Sequence, residues 1–256
     1  MITLQDLLKY RAVWREPLRS SWRDQTLLSS PPPSSGGFAL LQFLGMKDAR
    51  AVDFEGVAHN SPQYVHLVAE IAKRVYADRA EYAGDPAFAE VPIARLAGGG
   101  GGPGPPPPRA GAGARAPGGA VVPARFLLNN EMDDFSAKAG VPNVYGLLGG
   151  DANAIQPGKR MLSSMSPTML LDRDGRVSMV VGSMGGSTII TGVFQVLVDF
   201  VDFRMTGRPA AAGLYGGTAC MAARRRAAHR SHSGRLGCRV RPARPRRGAP
   251  LLNREP

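Results

Sequence analysis

The sequence predicts an α+β fold, and three observations indicate this class. Apolar residues recur at helical spacing from Val65 to Tyr76. Two strand-like runs flank an Asp174-Gly175 turn, which is typical of a hairpin. The segment between Ser187, its expected cap, and Gly207, its expected stop, is apolar almost all round, which predicts a helix buried between layers. With 256 residues, of which 43% are hydrophobic, the chain can build a sizeable core.

Short elements are predicted at the N-terminus. Thr3 and Asp6 resemble a capping box at the start of a helix, "LQDLLKYRA". A strand, "WRDQTLLSS", follows, and the prolines of "PPPSSGG" end it because proline cannot continue a ladder. Ser34 or Ser35 is expected to cap the next helix, "FALLQFLGM".

A longer helix and a low-complexity segment come next. Ser61 is the expected cap of the helix, Pro62 takes its first position, and the helix should end near Gly84. Residues 98–119 contain only Gly, Pro, Ala and Arg, and such a segment cannot bury enough apolar surface to offset its ordering entropy.

The positive charge is concentrated in the last fifty residues. Of 32 Lys and Arg, 12 lie in residues 207–256, and of 20 Asp and Glu only one does. The preceding 206 residues therefore hold 20 bases and 19 acids, and this near-neutral balance argues against a folded basic face there. The tail has no periodicity and is expected to be disordered. It could bind nucleic acid non-specifically, but it contains no recognised module for specific binding.

Neither a metal site nor a membrane segment is indicated. Both cysteines lie in the tail and form no metal-type pair. The N-terminus does not have the pattern of a signal peptide, and the most apolar run contains Asp199 and Asp202, so we expect no transmembrane segment.

The first candidate site is "SMGGST", residues 183–188, where a strand is followed by two glycines and a helix. Backbone N–H groups at a helix N-terminus can bind an anion or a developing oxyanion. Gly185 and Gly186 would let a ligand approach with no β-carbon in the way. A tight strand-to-helix turn without a ligand is the alternative, and neither a P-loop nor a dinucleotide fingerprint is present.

The second candidate is "NNEMDDFS", which places Glu131, Asp133 and Asp134 within four residues beside apolar sequence. Such acids cost desolvation free energy unless a cation satisfies them, and a substrate ammonium would do so. The spacing of a calcium loop is missing. A solvated acidic turn is the alternative.

The third candidate is the pair Ser163 and Ser164, just before a strand. Paired hydroxyls could hold a substrate carboxylate. A G-x-S-x-G elbow is not present, so nucleophilic serine chemistry is not indicated. A loop that caps itself is the alternative.

In this order and at this spacing, the three candidates resemble the γ-glutamyltransferase family, also called γ-glutamyltranspeptidase or glutathione hydrolase. The resemblance covers about residues 2–97 and 121–206. The stretches that carry it are "ITLQDLLKYRAVWREPLR", "PPPSSGG", "YADRAEYAGDPAF", "FLLNNEMDDFS", "PGKRMLSSMSPT" and "GSMGGSTIIT".

The resemblance implies the fold of the N-terminal nucleophile hydrolases, a four-layer αββα sandwich, which would be incomplete in this chain. Members of the family cleave themselves and expose a threonine whose hydroxyl attacks the γ-glutamyl amide of glutathione. The acyl group then passes to water or to an acceptor amino acid or peptide. No cofactor and no metal are implied. The family acts in the periplasm, outside the cell or at the membrane, and this chain carries no signal that would locate it.

The same resemblance assigns roles to six residues: Glu131, Asp134, Ser163, Ser164, Gly185 and Gly186. The two acids match the groups that bind the substrate α-ammonium, and the two serines match the hydroxyls that hold its α-carboxylate. The two glycines match the oxyanion-hole amides. Asn129, Asn130 and Asp133 are expected to fix the loop instead.

The chain also departs from the family. Residues 1–97 resemble the C-terminal part of the large subunit, and residues 120–206 resemble the core of the small subunit. Residues 98–119 stand where the nucleophile region belongs, and no Thr, Ser or Cys occurs between positions 91 and 130. We therefore expect the nucleophile to be absent. The chain also begins after the part of the large subunit that supplies an arginine to the substrate carboxylate.

Three functional hypotheses follow. The chain is an enzyme by family, a catalytically dead fragment that retains weak γ-glutamyl binding, or a non-specific nucleic-acid binder through its tail. Residues 98–119 and 207–256 share a composition typical of GC-rich coding sequence in the wrong frame. We therefore hypothesise that both are frameshifted or mis-spliced, which translation of the other two frames would test.

Overall fold

The computed structural model describes residues 3–97, 130–143 and 146–205, and the backbone of residues 220–223. Five strands form one antiparallel sheet in the order β1-β2-β3-β4-β5. They are β1 (Leu18–Trp22), β2 (Gln25–Ser29), β3 (Thr168–Leu171), β4 (Val177–Gly182) and β5 (Cys220–Ala223). The helices are α1 (Leu4–Lys9), α2 (Gly36–Ala49), α3 (Ala51–Phe54), α4 (Pro62–Tyr82), α5 (Ile93–Ala97) and α6 (Ile189–Val201). The α+β class predicted from the sequence is confirmed.

The first two strands form a hairpin that the sequence did not reveal. We predicted one strand, "WRDQTLLSS", but β1 pairs with β2 from Leu18 opposite Ser29 to Trp22 opposite Gln25. The turn consists of Arg23 and Asp24, and Arg23 adopts a φ of 55°. Two-residue hairpin turns need such left-handed residues, and glycine or asparagine usually marks them. Arginine gave no such signal, so the prediction of one continuous strand was wrong.

The sheet joins the two halves of the chain. β2 pairs with β3, so that Leu27 lies opposite Leu170. β3 and β4 form the predicted hairpin, and Gly175 in its turn has a φ of +76°.

The fifth strand lies where no regular structure was expected. Residues 207–256 are predicted to be disordered, yet Cys220–Ala223 pairs with β4, with Cys220 opposite Gly182. The prediction was wrong for these four residues because the free edge of β4 offers unpaired backbone groups to any nearby extended segment. The rest of the tail and residues 98–119 lie outside the described residues.

Three helices build the core on one face of the sheet. α2 contacts β1 and β2, α6 contacts β4, and α4 packs on α2. Phe43 of α2 and Phe194 of α6 are fully buried, and their ring centroids are 4.9 Å apart. Burial of each such aromatic side chain stabilises the fold by about 1.5–3 kcal/mol.

The helix ends agree with the sequence for α1 and α4 and differ for α6. Thr3 and Asp6 form the predicted capping box. The Ser61 hydroxyl accepts a hydrogen bond from the amide of Tyr64 at 3.2 Å, and α4 ends at Tyr82 as expected. α6 has Thr188 rather than Ser187 as its cap and stops at Val201, well before Gly207. No helix in the described ranges is long and apolar enough to cross a membrane.

Candidate active site

One face of α4 connects the three candidate loops. Tyr76 and Arg79 lie three residues apart, so they share that face. The Tyr76 hydroxyl donates to the carbonyl of Ser187 at 2.5 Å, beside the two glycines. The Arg79 guanidinium donates through Nε to Ser35 Oγ at 2.9 Å and through Nη2 to Ser164 Oγ at 3.1 Å. Neither residue was singled out from the sequence.

The backbone of the serine loop is fixed against the turn before α2. Ser163 donates its amide to the carbonyl of Pro33 at 3.0 Å, and Ser35 donates its amide to the carbonyl of Ser163 at 2.8 Å. The Ser34 hydroxyl donates to the carbonyl of Met165 at 2.6 Å. "PPPSSGG" is thus the predicted strand-to-helix turn, and its two serines also hold the candidate site.

Both candidate hydroxyls accept a hydrogen bond from the protein. Ser163 Oγ accepts from the amide of Met165 at 3.0 Å, and Ser164 Oγ accepts from Arg79. Within the described residues neither hydroxyl has an acceptor for its own proton. A serine hydroxyl offers one donor and two lone pairs, so both protons remain available for a ligand. This arrangement suits an anionic oxygen.

The acidic loop is attached to the serine loop by Asn153, a buried residue that sequence reasoning also missed. Its Nδ2 donates to the carbonyl of Asp134 at 2.8 Å, and its Oδ1 accepts from the amide of Leu162 at 3.0 Å. One side chain therefore holds Asp134 close to the pair Ser163 and Ser164.

The carboxyl group of Asp134 lies in a partly buried environment among other charges. Burial, with a smaller contribution from the neighbouring acids Glu131 and Asp133, raises its pKa from 3.8 to about 6, and the charge of Arg79 acts against this shift. A cation placed beside a carboxyl group with such a pKa stabilises its ionised form. Burial also lowers the pKa of Arg79.

The other residues of the acidic loop have different positions. Glu131 is half-buried, and its charge is felt by Asp134. Asp133 is exposed and accepts a hydrogen bond from Asn130 Nδ2 at 2.6 Å, which agrees with a role in fixing the loop. Asn129 lies outside the described residues.

The glycine turn presents two exposed amides. Gly185 and Gly186 have φ values of +128° and +58°, which favour glycine, and a β-carbon on Gly185 would lie 2.5 Å from Thr188 Oγ1. In the part of the chain that the structure describes, neither amide donates to a protein acceptor. The turn reaches α4 through Ser187 and Tyr76, one helical turn away from the serine and acidic loops.

Contacts with α4 thus connect the three predicted loops. Ser164 accepts from Arg79, the charge of Arg79 acts on Asp134, and Ser187, which follows Gly186, accepts from Tyr76. Among the described residues, no group of three or more His, Cys, Asp or Glu side chains is placed to hold a metal ion. Chemically, the arrangement offers hydroxyl protons for an anion beside a carboxylate for a cation.

Replacing Asn153 with alanine should lower the free energy of unfolding by about 2–3 kcal/mol, because it leaves the buried amide of Leu162 and the carbonyl of Asp134 without partners. Urea unfolding measures the change. Gln156→Ala, an exposed amide in the same loop, is the control and should change stability by less than about 0.5 kcal/mol. Equal effects of the two substitutions would contradict the role given to Asn153.

Comparison with known proteins points to one family. A sequence model described as Gamma-glutamyltranspeptidase matches residues 1–98 and 117–213. The glutathione hydrolase proenzyme of Pseudomonas aeruginosa is 48% identical over 242 residues, which cover 80% of this chain and 43% of that protein. The glutathione hydrolase proenzyme of Escherichia coli is 39% identical over 245 residues, covering 79% and 42%. The chain therefore spans less than half the length of these relatives.

A solved structure supports the fold. Cephalosporin acylase from Bacillus halodurans superposes with a TM-score of 0.62 at 22% identity, covering 82% of this chain and 42% of that one. At this identity the likeness concerns the fold alone.

Proposed function

The chain belongs to the γ-glutamyltranspeptidase family, and from that premise we propose that it binds glutathione and other γ-glutamyl compounds without cleaving them. The observation that carries this proposal is that Ser164 accepts a hydrogen bond from the Arg79 guanidinium, while Asp134 is near enough for the charge of Arg79 to act on it. Two available hydroxyl protons suit an α-carboxylate, and an acid with a raised pKa suits an α-ammonium. A free α-amino acid end is the ligand group that presents both charges together.

Cleavage needs a nucleophile, and its absence from this chain is the second part of the proposal. In the family a threonine attacks the γ-glutamyl amide, and the same residue performs self-cleavage. The segment between positions 91 and 130, where that threonine belongs, contains no Thr, Ser or Cys. The family match is also interrupted between residues 98 and 117, which supports the proposal that residues 98–119 replace the nucleophile region. With its nucleophile present, such a site would transfer the acyl group to water or to an acceptor amino acid or peptide.

The oxyanion amides have a reduced role in this proposal. Gly185 and Gly186 would face the γ-amide carbonyl of a bound ligand. Donors of this kind accelerate acyl transfer only when a tetrahedral intermediate forms. In the absence of a nucleophile they can orient the carbonyl but not lower a reaction barrier.

We also propose that the sheet is one of two in an incomplete αββα sandwich. Leu27, Leu170 and Met179 face the helices and are fully buried. On the opposite face Leu28, Met169 and Val180 are aligned across three strands and remain partly or largely exposed. A second sheet packed on this row would give the remaining layers.

The test of function separates binding from turnover. The purified chain should run as one uncleaved band near 27.1 kDa on a denaturing gel and release no product from a γ-glutamyl anilide. It should bind glutathione in calorimetry with a dissociation constant on the order of 1 mM, the affinity that two charge-assisted contacts can supply.

Two analogues make the binding test specific. γ-Aminobutyryl-Cys-Gly lacks the α-carboxylate and glutaryl-Cys-Gly lacks the α-ammonium, and each should bind at least about tenfold more weakly than glutathione. Two protein bands, of which the smaller begins with threonine, would contradict the proposed loss of cleavage. Equal affinity for glutathione and both analogues would contradict the proposed recognition of the α-amino acid end.

A further inference from the structure

We propose that Arg79 is a positioning residue for the ligand carboxylate, acting through Ser164 rather than by direct contact. This inference rests on the proposed γ-glutamyl binding and adds a residue to it. Arg79 lies at the middle of the buried network that joins Ser35, Ser164 and the acidic loop. Three steps lead from that position to the role.

The first step is that Arg79 is a buried cation with no salt-bridge partner among the residues that the structure describes. Residue Arg79 is 3% exposed. No carboxylate of the described residues lies within salt-bridge distance of its guanidinium, and Asp134 acts on it only at longer range. Burying a charge is costly unless an opposite charge compensates it. A ligand carboxylate next to Ser164 would supply that charge.

The second step is a count of protons at the two serines that Arg79 contacts. Ser35 Oγ accepts from Arg79 Nε and donates to the carbonyl of Ser163 at 2.8 Å, so its single proton is used. Ser164 Oγ accepts from Arg79 Nη2, and no described residue accepts its proton. Because the guanidinium has no acceptor atom, it can only donate to Ser164. Arg79 thereby excludes the orientation in which the Ser164 proton points toward α4.

The third step is that the contact needs an arginine. Nε and Nη2 belong to one rigid plane, and anchoring Nε on Ser35 fixes the direction in which Nη2 meets Ser164. The anchor is itself fixed, since Ser35 is fully buried and is bonded to the serine loop through both its amide and its hydroxyl. A lysine ammonium has no second donor held in a fixed geometry and would keep the charge but lose the alignment.

The experiment measures affinity for glutathione and for γ-aminobutyryl-Cys-Gly, which lacks the α-carboxylate, with the full chain and three variants. Arg79→Gln removes the charge, and Arg79→Lys keeps the charge but loses the two donors, Nε and Nη2, that lie in one rigid plane. Arg74→Gln is the matched control, because Arg74 lies on the same helix but is exposed and pairs with Glu70. Circular dichroism and thermal unfolding check that each variant is folded.

Arg79→Gln and Arg79→Lys should each weaken glutathione binding by about tenfold or more, and should weaken binding of the decarboxylated analogue by less than about twofold. Arg74→Gln should change neither. A residue needed only for folding would weaken binding of both ligands alike, so the difference between the two ligands is the deciding measurement. Equal losses for the two ligands would overturn the proposal.

A double-substitution cycle tests whether the effect passes through Ser164. If it does, the variant that combines Arg79→Gln with Ser164→Ala should bind glutathione with the same affinity, within about twofold, as the weaker-binding of the two single variants. Independent contacts would instead multiply their separate losses. Multiplied losses would overturn the positioning role.

A last measurement uses the unmodified chain and separates this inference from the proposed function. Acetate, a bare carboxylate, should shift the Arg79 Nε–Hε resonance in NMR spectra. If acetate shifts it but glutathione binds no more tightly than acetate, γ-glutamyl recognition fails while the role of Arg79 stands. If neither ligand shifts the resonance, the role of Arg79 is refuted.

Discussion

Gly36→Ala should lower the free energy of unfolding by about 3 kcal/mol or more and the melting temperature by on the order of 10 °C. A β-carbon at Gly36 would overlap the carbonyl oxygen of Met165 and the hydroxyl of Ser166. The first of these is a backbone atom, so no rotamer change can relieve the overlap. The turn and the serine loop would have to separate.

The effect should also reach the candidate site. The same two segments are joined by the hydrogen bonds of Ser34 and Ser35 to Ser163 and Met165. Pushing them apart would displace Ser164 from Arg79. We therefore expect any folded fraction of Gly36→Ala to have lost glutathione binding.

Gly182→Ala is the control for this substitution. Gly182 lies in β4, and no atom lies within 4 Å of the position that its β-carbon would take. Alanine suits a strand better than glycine does, so stability should be unchanged or rise by up to about 1 kcal/mol. Thermal unfolding of the two variants side by side would show whether it is the close approach at Gly36 that matters. Similar melting temperatures would contradict the explanation.

The elements predicted best from the sequence were those whose signals are local. The capping box of Thr3, the cap at Ser61 and the turn at Gly175 depend on a few adjacent residues, and each lies where it was expected. The hairpin turn at Arg23 also depends on local conformation, but a residue without the usual turn chemistry adopts it. Strand β5 depends on a partner far along the chain, so composition alone could not predict it.

In the candidate site, too, features with a local sequence signal were predicted, and those that depend on distant contacts were not. Its loops were found because they carry polar residues in short, recognisable stretches, but the side chains that bring them together were not. Asn153 lies in a glycine-rich loop and gave no signal. Arg79 did carry a signal in the sequence, because it continues the core-facing helical series of Val68, Ile71 and Val75. A cation at a core-facing position of a helix indicates a buried polar network.

The pKa of Asp134 has a consequence for stability that is separate from binding. Its pKa is raised from 3.8 to about 6, so the folded chain holds this proton more tightly than the unfolded chain. Its contribution is therefore most favourable below about pH 4 and is lost as the pH rises through about 6. Asparagine does not ionise, so Asp134→Asn avoids the cost of a charged residue 134 in the folded chain. The variant should therefore be at least as stable as the unmodified chain at pH 7.

Asp134→Asn should nevertheless weaken glutathione binding by about 100-fold at pH 7.5, since it leaves the ligand ammonium without its carboxylate. In the unmodified chain, affinity should fall as the pH drops through 6, because the protonated acid carries no charge. Binding near pH 6 should then release a proton, which calorimetry in buffers of different ionisation enthalpy detects. In the variant both the pH dependence and the proton release should disappear.

Asp133→Asn is the matched control for that experiment. Asp133 is the adjacent acid, but it is exposed and bonded to Asn130. Its removal should lower affinity by less than about threefold, because an exposed charge is screened by solvent. If Asp133→Asn matched the loss of Asp134→Asn, the acidic loop would act through its summed charge rather than through one placed carboxylate. If Asp134→Asn binds glutathione as tightly as the unmodified chain, the proposed recognition of the ligand ammonium by Asp134 is wrong. If the variant is more stable but does not bind, recognition depends on this one carboxylate.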